Sequence, residues 1–253
     1  MAVSKASSEP TLFRHQLTPQ TGVSSKGRHH NPRVQRFSRL FLPKLTNPNQ
    51  KLPLLVYFHG VAFCVSSPFT SKFSNYLNAL VAEANVIAVS VNYRNAPEHP
   101  LPAAYEDSWA ALQWVVSHCN RQGPEPWLND HADFERVFLG GESSGANIAH
   151  NLAMVAGDPE FSLNVDILGI ALVHPYFWGS RTYWFRGITP GSKGGGRLYY
   201  EALGRSGWMG VVEIMETDEV GHGFQLNDLE SDKAKDLITR LAAFCNRDKP
   251  PFF

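Results

Sequence analysis

Four short apolar segments, separated by stretches with helical periodicity, constrain the fold of this chain more than any other feature. Each segment is almost continuously apolar and rich in β-branched or aromatic residues, which is typical of strands buried on both faces of a parallel sheet. Strands and helices that alternate in this way predict an α/β fold with a mostly parallel sheet, flanked by helices and joined by right-handed crossovers. The predicted strands are Leu52–Phe58, Val86–Asn92, Arg136–Gly141 and Asp166–His174, and the predicted helices cover 70–84, Tyr105–Val116, Ile148–Val155 and Ala234–Phe244.

The composition excludes several classes of protein. The 253 residues suffice for one large domain, and with 18% charged and 43% hydrophobic residues the chain is not a disordered one. Lys and Arg number 23, as do Asp and Glu, so no overall field favours nucleic acid or a membrane as a partner. The three cysteines form no C-x-x-C pair, and no apolar run reaches the roughly 18 residues of a membrane span. We therefore expect a soluble protein of a reducing compartment, the cytoplasm or also the nucleus.

The charge is distributed unevenly along the chain. Residues 1–50 hold eight Lys and Arg against one acidic residue, Glu9. This start predicts a basic, poorly ordered arm over 1–36 that precedes a main domain over 37–253, with an organelle transit peptide as the alternative. The pair His29-His30 has no further ligand at helical or hairpin spacing, so we expect no metal site there, and no pattern indicates a cofactor. Within the main domain, the Gly-rich residues 187–196 fit neither a strand nor a helix.

The strongest chemical signal is the string Gly141-Glu142-Ser143-Ser144-Gly145. It follows a predicted strand and begins a predicted helix, which is the setting that a nucleophile elbow requires. The turn is so tight that only glycine at the flanking positions lets strand and helix approach, and it pushes the Ser143 hydroxyl outwards. The backbone N–H of Ser144 is then one donor of an oxyanion hole.

Two further motifs follow predicted strands. The loop His59-Gly60-Val61-Ala62-Phe63 leaves the first buried strand, at the sheet edge where an open α/β sheet places its site, and we expect His59 to position this loop. The motif Gly221-His222-Gly223-Phe224 follows an apolar segment, Val211–Met215, that we expect to be the last strand. A histidine on such a loop can act on Ser143 as a general base.

A fourth motif is more typical of a scaffold than of chemistry. The segment 93–107 contains three prolines that fix an extended loop. We expect Arg94, Glu98 and Asp107 to form a buried polar network beneath the elbow.

Taken together and in order, HGVAFC, YRNAPEHPLPAAYED, GGESSGANIAHN and GHGF resemble the plant carboxylesterase branch of the α/β-hydrolases related to hormone-sensitive lipase. The resemblance implies an eight-stranded α/β-hydrolase fold with a helical amino-terminal cap. It implies Ser143 as nucleophile and His222 as base, without a metal or a cofactor, acting on a small-molecule ester. It also implies an oxyanion hole in the loop of Gly60, Val61 and Ala62, completed by the N–H of Ser144.

The chain departs from the family pattern at two places. Val61 and Ala62 stand where the family has glycines; if these positions need a positive φ, a β-branched valine resists it, and the oxyanion donors would be misaimed. The chain is also shorter than the family between 177–180 (FWGS) and 197–208, so we expect a sheet one strand short and a reduced cap. Counting back roughly thirty residues from His222 reaches the Gly-rich segment, where no carboxylate can serve as the triad acid. These features imply an internal deletion, from an alternative transcript, a gene-model error or a decayed copy.

The deletion carries two structural expectations. Val211–Met215 should pair directly with the strand Asp166–His174 through a crossover helix at Arg197–Arg205, because two unpaired inner edges would leave many backbone groups unsatisfied. The alternative is that the Gly-rich segment spans the gap and the carboxyl-terminal third docks loosely. No carboxylate should lie within hydrogen-bond reach of His222, since Glu216, Asp218 and Glu219 are weak substitutes for the acid.

Three functions remain open at this stage. The first is a serine carboxylesterase that forms an acyl-enzyme at Ser143 and is impaired by loss of the acid. The second is a non-catalytic small-molecule binder on the same fold, as the gibberellin receptor is, or an inactive shortened copy. The third is a dehydratase of the kind known for isoflavanones, for which a threonine at the nucleophile position would be expected instead of Ser143.

Overall fold

The computed structural model describes residues 14–31, 36–161, 163–177, 193–206 and 211–247. Within these residues, seven strands form one sheet in the order β1-β2-β3-β5-β4-β6-β7. Strands β5, β4, β6 and β7 are parallel to one another, whereas β1, β2 and β3 extend the sheet beyond β5 with antiparallel pairing. The strands are β1 Gln16–Leu17, β2 Ser24–Asn31, β3 Arg36–Leu42, β4 Leu52–Phe58, β5 Ile87–Val91, β6 Ala132–Glu142 and β7 Ile167–Val173.

All four predicted strands are confirmed, and they form the parallel part of the sheet. Every residue of β4 and of β5 is buried, because helices cover both faces of the sheet. On one face Leu54 packs in a cluster with Leu112 of helix α2 (Ala103–Val116) and Ile148 of helix α4 (Ser144–Ala156). On the other face Leu55 packs in a cluster that includes residues of helices α1 (Ser71–Ala84) and α7 (Asp232–Cys245). The result is the three-layer arrangement that the alternating pattern predicted.

The four predicted helices are confirmed as α1, α2, α4 and α7. A fifth long helix, α5, is held against α4 by Tyr199, whose hydroxyl lies 3.1 Å from Nδ1 of His150 and whose ring stacks on Phe177. None of the described helices is long and apolar enough to cross a membrane. The helices are α1 Ser71–Ala84, α2 Ala103–Val116, α3 Pro126–His131, α4 Ser144–Ala156, α5 Lys193–Arg205, α6 Phe224–Asn227 and α7 Asp232–Cys245, with a 3₁₀ turn at Pro159–Phe161.

The amino-terminal part of the chain differs from the arm that composition predicts over 1–36. Strands β1 and β2 lie within this range, and β2 pairs with β3 in an antiparallel hairpin. The reason is a buried partner elsewhere in the chain: Glu125, which is 1% exposed, accepts from Lys26 Nζ at 2.6 Å and from Arg28 Nε. Two basic residues of the expected arm, the buried Lys26 and the partly exposed Arg28, are therefore ion-pair partners of a buried carboxylate. Residues 1–13 lie outside the described residues, and no helix precedes α1 in the described part of the chain.

The carboxyl-terminal part differs at Val211–Met215, where the prediction of a strand is wrong. These residues pair with no described strand, so β7 is the last strand of the described sheet. Val211 is 74% exposed and Ile214 is 42% exposed, so the segment lacks the burial that stabilises an inner strand. Its predicted pairing with β7 is therefore also wrong. The sheet of seven described strands agrees with an α/β-hydrolase fold that is one strand short.

The Gly-rich segment predicted as an irregular break is partly helical. Residues 193–196 form the first turn of α5, and 187–192 lie outside the described residues. Adding a turn to an existing helix costs far less than nucleating one, so α5, which is docked on α4 through Tyr199, can extend into this glycine-containing sequence.

Candidate active site

Ser143 occupies a sharp turn between β6 and α4, as the sequence predicted. Strand β6 ends at Glu142, α4 begins at Ser144, and Ser143 between them has φ 52° and ψ −118°. Its N–H donates to the carbonyl of Val173 at 2.9 Å, and its carbonyl accepts from the N–H of Tyr176 at 3.1 Å. A non-glycine residue at such angles is strained and persists only where its surroundings enforce it. The elbow is therefore held by the end of β7 and by the residues that follow that strand.

The glycines on either side of Ser143 are required by close backbone contacts. A Cβ at Gly141 would overlap the backbone of Gly145, and a Cβ at Gly145 would overlap the carbonyl oxygen of Phe58. Strand β6, helix α4 and strand β4 thus meet with no room for a side chain. This packing places the start of α4 directly against the loop that follows β4.

That loop carries the predicted oxyanion residues in a left-handed conformation. The φ angles are 77° at Val61, 55° at Ala62 and 64° at Phe63. Gly60 before them is confined, since a Cβ there would lie 2.7 Å from Oε1 of Glu142. Two of the three left-handed positions are those where the family pattern has glycines. Val61 and Ala62 therefore adopt the positive φ that glycine would adopt more easily, at a cost of about 1–2 kcal/mol each.

Hydrogen bonds to neighbouring segments keep the loop in this path. The N–H of Phe63 donates to the hydroxyl of Ser144 at 3.3 Å, and the Phe63 carbonyl accepts from the N–H of Ala96 at 2.8 Å. The conformation is thus enforced by tertiary contacts on both sides, which is why residues with a Cβ adopt it.

His59 is a neutral structural residue beneath the loop. It is fully buried and stacks on Tyr93 with ring centroids 4.3 Å apart. Burial lowers the pKa of His59 to about 4, so its ring carries no charge near neutral pH. The Tyr93 hydroxyl donates to the His59 carbonyl at 2.6 Å, which fixes the backbone where the oxyanion loop begins.

The polar network predicted beneath the elbow forms around Arg94 and Asp107. The Arg94 side chain donates to both carboxylate oxygens of the buried Asp107, at 2.8 and 3.0 Å, and its backbone N–H also donates to Oδ2. These hydrogen bonds raise the pKa of Arg94. The second acidic neighbour is Glu106, at 3.4 Å, in place of the expected Glu98, because Glu106 lies next to Asp107 on α2.

His222 lies on the loop before α6, and two hydrogen bonds, one from this loop and one from α6, dock the segment on the strand ends next to Ser143. The N–H of Gly223 donates to Nδ1 of His174, directly after β7, at 2.9 Å. The side-chain amide of Gln225 donates to Oε2 of Glu142, at the end of β6, at 2.9 Å. The rings of His222 and His174 have centroids 5.3 Å apart. The predicted base is thus on a loop at the carboxyl end of β6 and β7, as is Ser143.

Among the residues that the structure describes, no carboxylate forms a hydrogen bond with His222. Partial burial lowers the pKa of His222, and no neighbouring acid opposes that shift. Glu219, one of the weak substitutes, is 91% exposed and lies 3.8 Å from Lys233 of α7. The region near residue 190, from which the family's acid would come, lies outside the described residues.

Three residues at this edge escaped the sequence analysis. Glu142 is 4% exposed, and burial raises the pKa of its carboxyl to about 7, an effect that the hydrogen bond from Gln225 only partly offsets. Gln225 is fully buried. His174 directly follows β7, and that position is a signal that could have been used, because neighbouring parallel strands end at the same edge.

Comparison with known proteins gives the family. Residues 55–186 match the family described as alpha/beta hydrolase fold. A 2-hydroxyisoflavanone dehydratase of Glycine max is 39% identical over 283 residues, covering 89% of this chain and 88% of that protein. Probable carboxylesterase 7 of Arabidopsis thaliana is 38% identical, covering 91% of this chain and 89% of that protein. A thermophilic carboxylesterase cloned from a metagenomic library superposes with a TM-score of 0.72 at 20% identity, over 95% of this chain and 92% of that one.

The alignment with the soybean dehydratase also bears on the chain's length. It spans 283 positions but uses only 89% of a 253-residue chain, so this chain has gaps opposite residues of the relative. The gaps support the interpretation that the chain is shortened internally. By the family match and by its relatives, the chain belongs to the α/β-hydrolases, in the plant carboxylesterase branch related to hormone-sensitive lipase.

Proposed function

We propose that this chain is a serine carboxylesterase that cleaves small carboxylic esters through an acyl-enzyme at Ser143. The observation that carries the proposal is the strained backbone of Ser143, at φ 52° and ψ −118°, between a buried strand and a helix. Strain of this kind is costly and is concentrated at functional sites. In addition, several of the relatives are carboxylesterases by name.

In this mechanism the Ser143 hydroxyl attacks the ester carbonyl while His222 accepts its proton. The tetrahedral oxyanion is stabilised by N–H groups of Ser144 and of the loop at Gly60, Val61 and Ala62. Collapse of the intermediate expels the alcohol, which takes the proton back from His222. Water, deprotonated by the same histidine, then attacks the acyl-enzyme and releases the acid.

The expected rate is low for a member of this family. A triad whose acid cannot fix the histidine's tautomer loses about 10⁴-fold in rate. The His222 loop nevertheless keeps its two hydrogen-bonded anchors on the strand ends. We therefore expect acylation of Ser143 to be slow but measurable.

The test is labelling with a fluorophosphonate probe, which forms a covalent bond to an activated serine. We expect stoichiometric labelling of the full chain and none of the Ser143→Ala variant. Ser117→Ala, which changes an exposed serine at the end of α2, is the matched control and should label like the unchanged chain. Equal labelling of the Ser143→Ala variant, or no labelling of the unchanged chain, would refute the proposal.

A non-catalytic binder on the same fold is the second candidate. It is favoured by the side chains of Val61 and Ala62 in the oxyanion loop, and by the lack of a carboxylate bonded to His222 among the described residues. A chain that binds a non-hydrolysable ester analogue reversibly, without labelling at Ser143, would support this function.

A further inference from the structure

His174 makes a contact that the mechanism above does not use. Its Nδ1 accepts the backbone N–H of Gly223 at 2.9 Å, although the two residues are 49 positions apart. Gly223 directly follows His222, so this hydrogen bond fixes the backbone beside the base. His174 itself, directly after β7, has φ 46°. This left-handed backbone conformation is strained for a residue other than glycine.

The hydrogen bond also determines where the proton of His174 resides. A ring nitrogen that accepts a hydrogen bond carries no proton, so the neutral ring holds its proton on Nε2. Burial, together with the charge of His222 in its protonated form, lowers the pKa of His174 to about 4. A neutral His174 is therefore the form that can accept from Gly223 near neutral pH.

The segment before the loop gives it little support. Val211–Met215 pairs with no described strand, and Val211 and Ile214 are exposed. The position of His222 thus depends on side-chain anchors from the strand ends, one from His174 directly after β7 and one from Glu142 at the end of β6. Of these two, the His174 contact is the one adjacent to the base.

We propose that His174 is a positioning residue for the base: its unprotonated Nδ1 holds the His222 loop beside Ser143. In a complete triad the acid orients the base and also stabilises its charge. His174 supplies orientation alone, because a neutral ring with its centroid 5.3 Å from that of His222 offers no negative charge. This inference rests on the proposed function, in which His222 acts on Ser143.

The experiment compares His174→Ala with His174→Asn. The Oδ1 of asparagine occupies the place of Nδ1, one bond from Cγ, so it can accept from Gly223, and asparagine tolerates a positive φ. In the Ala variant we expect kcat for a short-chain p-nitrophenyl ester to fall about 10²-fold, the effect of a small misplacement of a catalytic group, with KM little changed. The Asn variant should recover kcat to within about threefold of the unchanged chain. A threefold change in rate corresponds to a free-energy difference smaller than the net contribution of one typical hydrogen bond.

A second readout does not depend on activity. Amide hydrogen exchange at Gly223 should be about fivefold to tenfold faster in His174→Ala, as for loss of one hydrogen bond, and near the original rate in His174→Asn. His150→Ala is the matched control, since it removes a half-buried histidine that contacts Tyr199 and leaves Gly223 untouched. If the Ala variant folds poorly, His174→Gly repeats the test, because glycine suits a φ of 46°.

The outcomes separate this inference from the function on which it rests. If the unchanged chain hydrolyses no ester, the proposed function fails, and the exchange of Gly223 still decides whether His174 anchors the loop. If the chain is active but His174→Ala keeps its kcat, or if His174→Asn is as impaired as His174→Ala, the positioning role is refuted. Exchange at Gly223 that is the same in all variants would also refute it.

Discussion

Glu142 offers a direct test of the electrostatics at the elbow, through the change Glu142→Gln. The carboxyl is 4% exposed and its pKa is raised to about 7 by burial, against about 4.3 for an exposed glutamate. Between these two values the folded protein binds more protons than the unfolded chain. The stabilisation is therefore complete below about pH 4 and is lost as the pH rises through about 7.

The magnitude follows from the same shift. Ionising the buried carboxyl lowers the free energy of unfolding by about 4 kcal/mol in total, at about 1.36 kcal/mol for each unit of pKa, and about 1 kcal/mol of this is already lost by pH 5. Glutamine has nearly the same shape, cannot ionise, and offers an amide oxygen that accepts from Gln225 as the carboxylate does. We expect Glu142→Gln to gain stability relative to the unchanged chain as the pH rises from 5 to 8.5, by up to about 3 kcal/mol.

The assay is urea unfolding at pH 5, 7 and 8.5 with each variant. The difference between the two chains isolates Glu142, because all other titrating groups are shared. Glu83→Gln, which changes an exposed glutamate on α1, is the control for the replacement of a glutamate by glutamine. A pH-independent difference for Glu142→Gln would show that the buried carboxyl does not titrate as reasoned.

Two further predictions concern backbone geometry. Val61→Gly should raise the free energy of unfolding by about 1 kcal/mol, because relief of a φ of 77° outweighs the added freedom of glycine in the unfolded chain; a loss of stability in urea unfolding would contradict this. Gly145→Ala should lower the free energy of unfolding by about 3 kcal/mol, because the new Cβ overlaps the carbonyl oxygen of Phe58. Gly204→Ala on α5, where a Cβ meets nothing within 4 Å, should be neutral or stabilising in the same assay, and equal effects at both glycines would exclude the steric argument.

The parallel strands and their helices could be predicted because burial leaves a local periodic pattern. The apolar pattern of Val211–Met215 is similar, yet the segment is in no strand. A strand needs a neighbour with free hydrogen-bonding groups and a covering layer, and these depend on residues far away in the chain. The opposite error concerns β2: its polar sequence, SSKGRHHN, predicts a poorly ordered arm, yet it forms a strand. Its burial depends on Glu125, which is 97 positions from Arg28.

The candidate site shows the same division between local and distant causes. Ser143 and its flanking glycines could be identified from the sequence because one tight turn imposes all three residue types. His174 could not be identified by motif spacing, because its partner, Gly223, is brought to it only by the return of the chain to the same sheet edge. The left-handed backbone conformation of Val61 is likewise set by its tertiary surroundings, because the β-branched side chain of valine disfavours a positive φ.

The carboxylate of Glu125 has a consequence for where this domain begins. Burial alone would raise the pKa of Glu125, but hydrogen bonds from Lys26, Arg28 and the N–H of Trp127 hold it below its usual value. Without the hairpin of β2 and β3 this charge would lose both basic partners and keep only the N–H of Trp127. Breaking a buried ion pair costs about 3–5 kcal/mol, a large part of the roughly 5–15 kcal/mol by which domains are stable. Shortening the chain from its amino terminus past Lys26 would thus destabilise the rest of the domain, and not only remove the shortened segment. A segment whose composition is that of a dispensable tail is a structural support of the hydrolase fold.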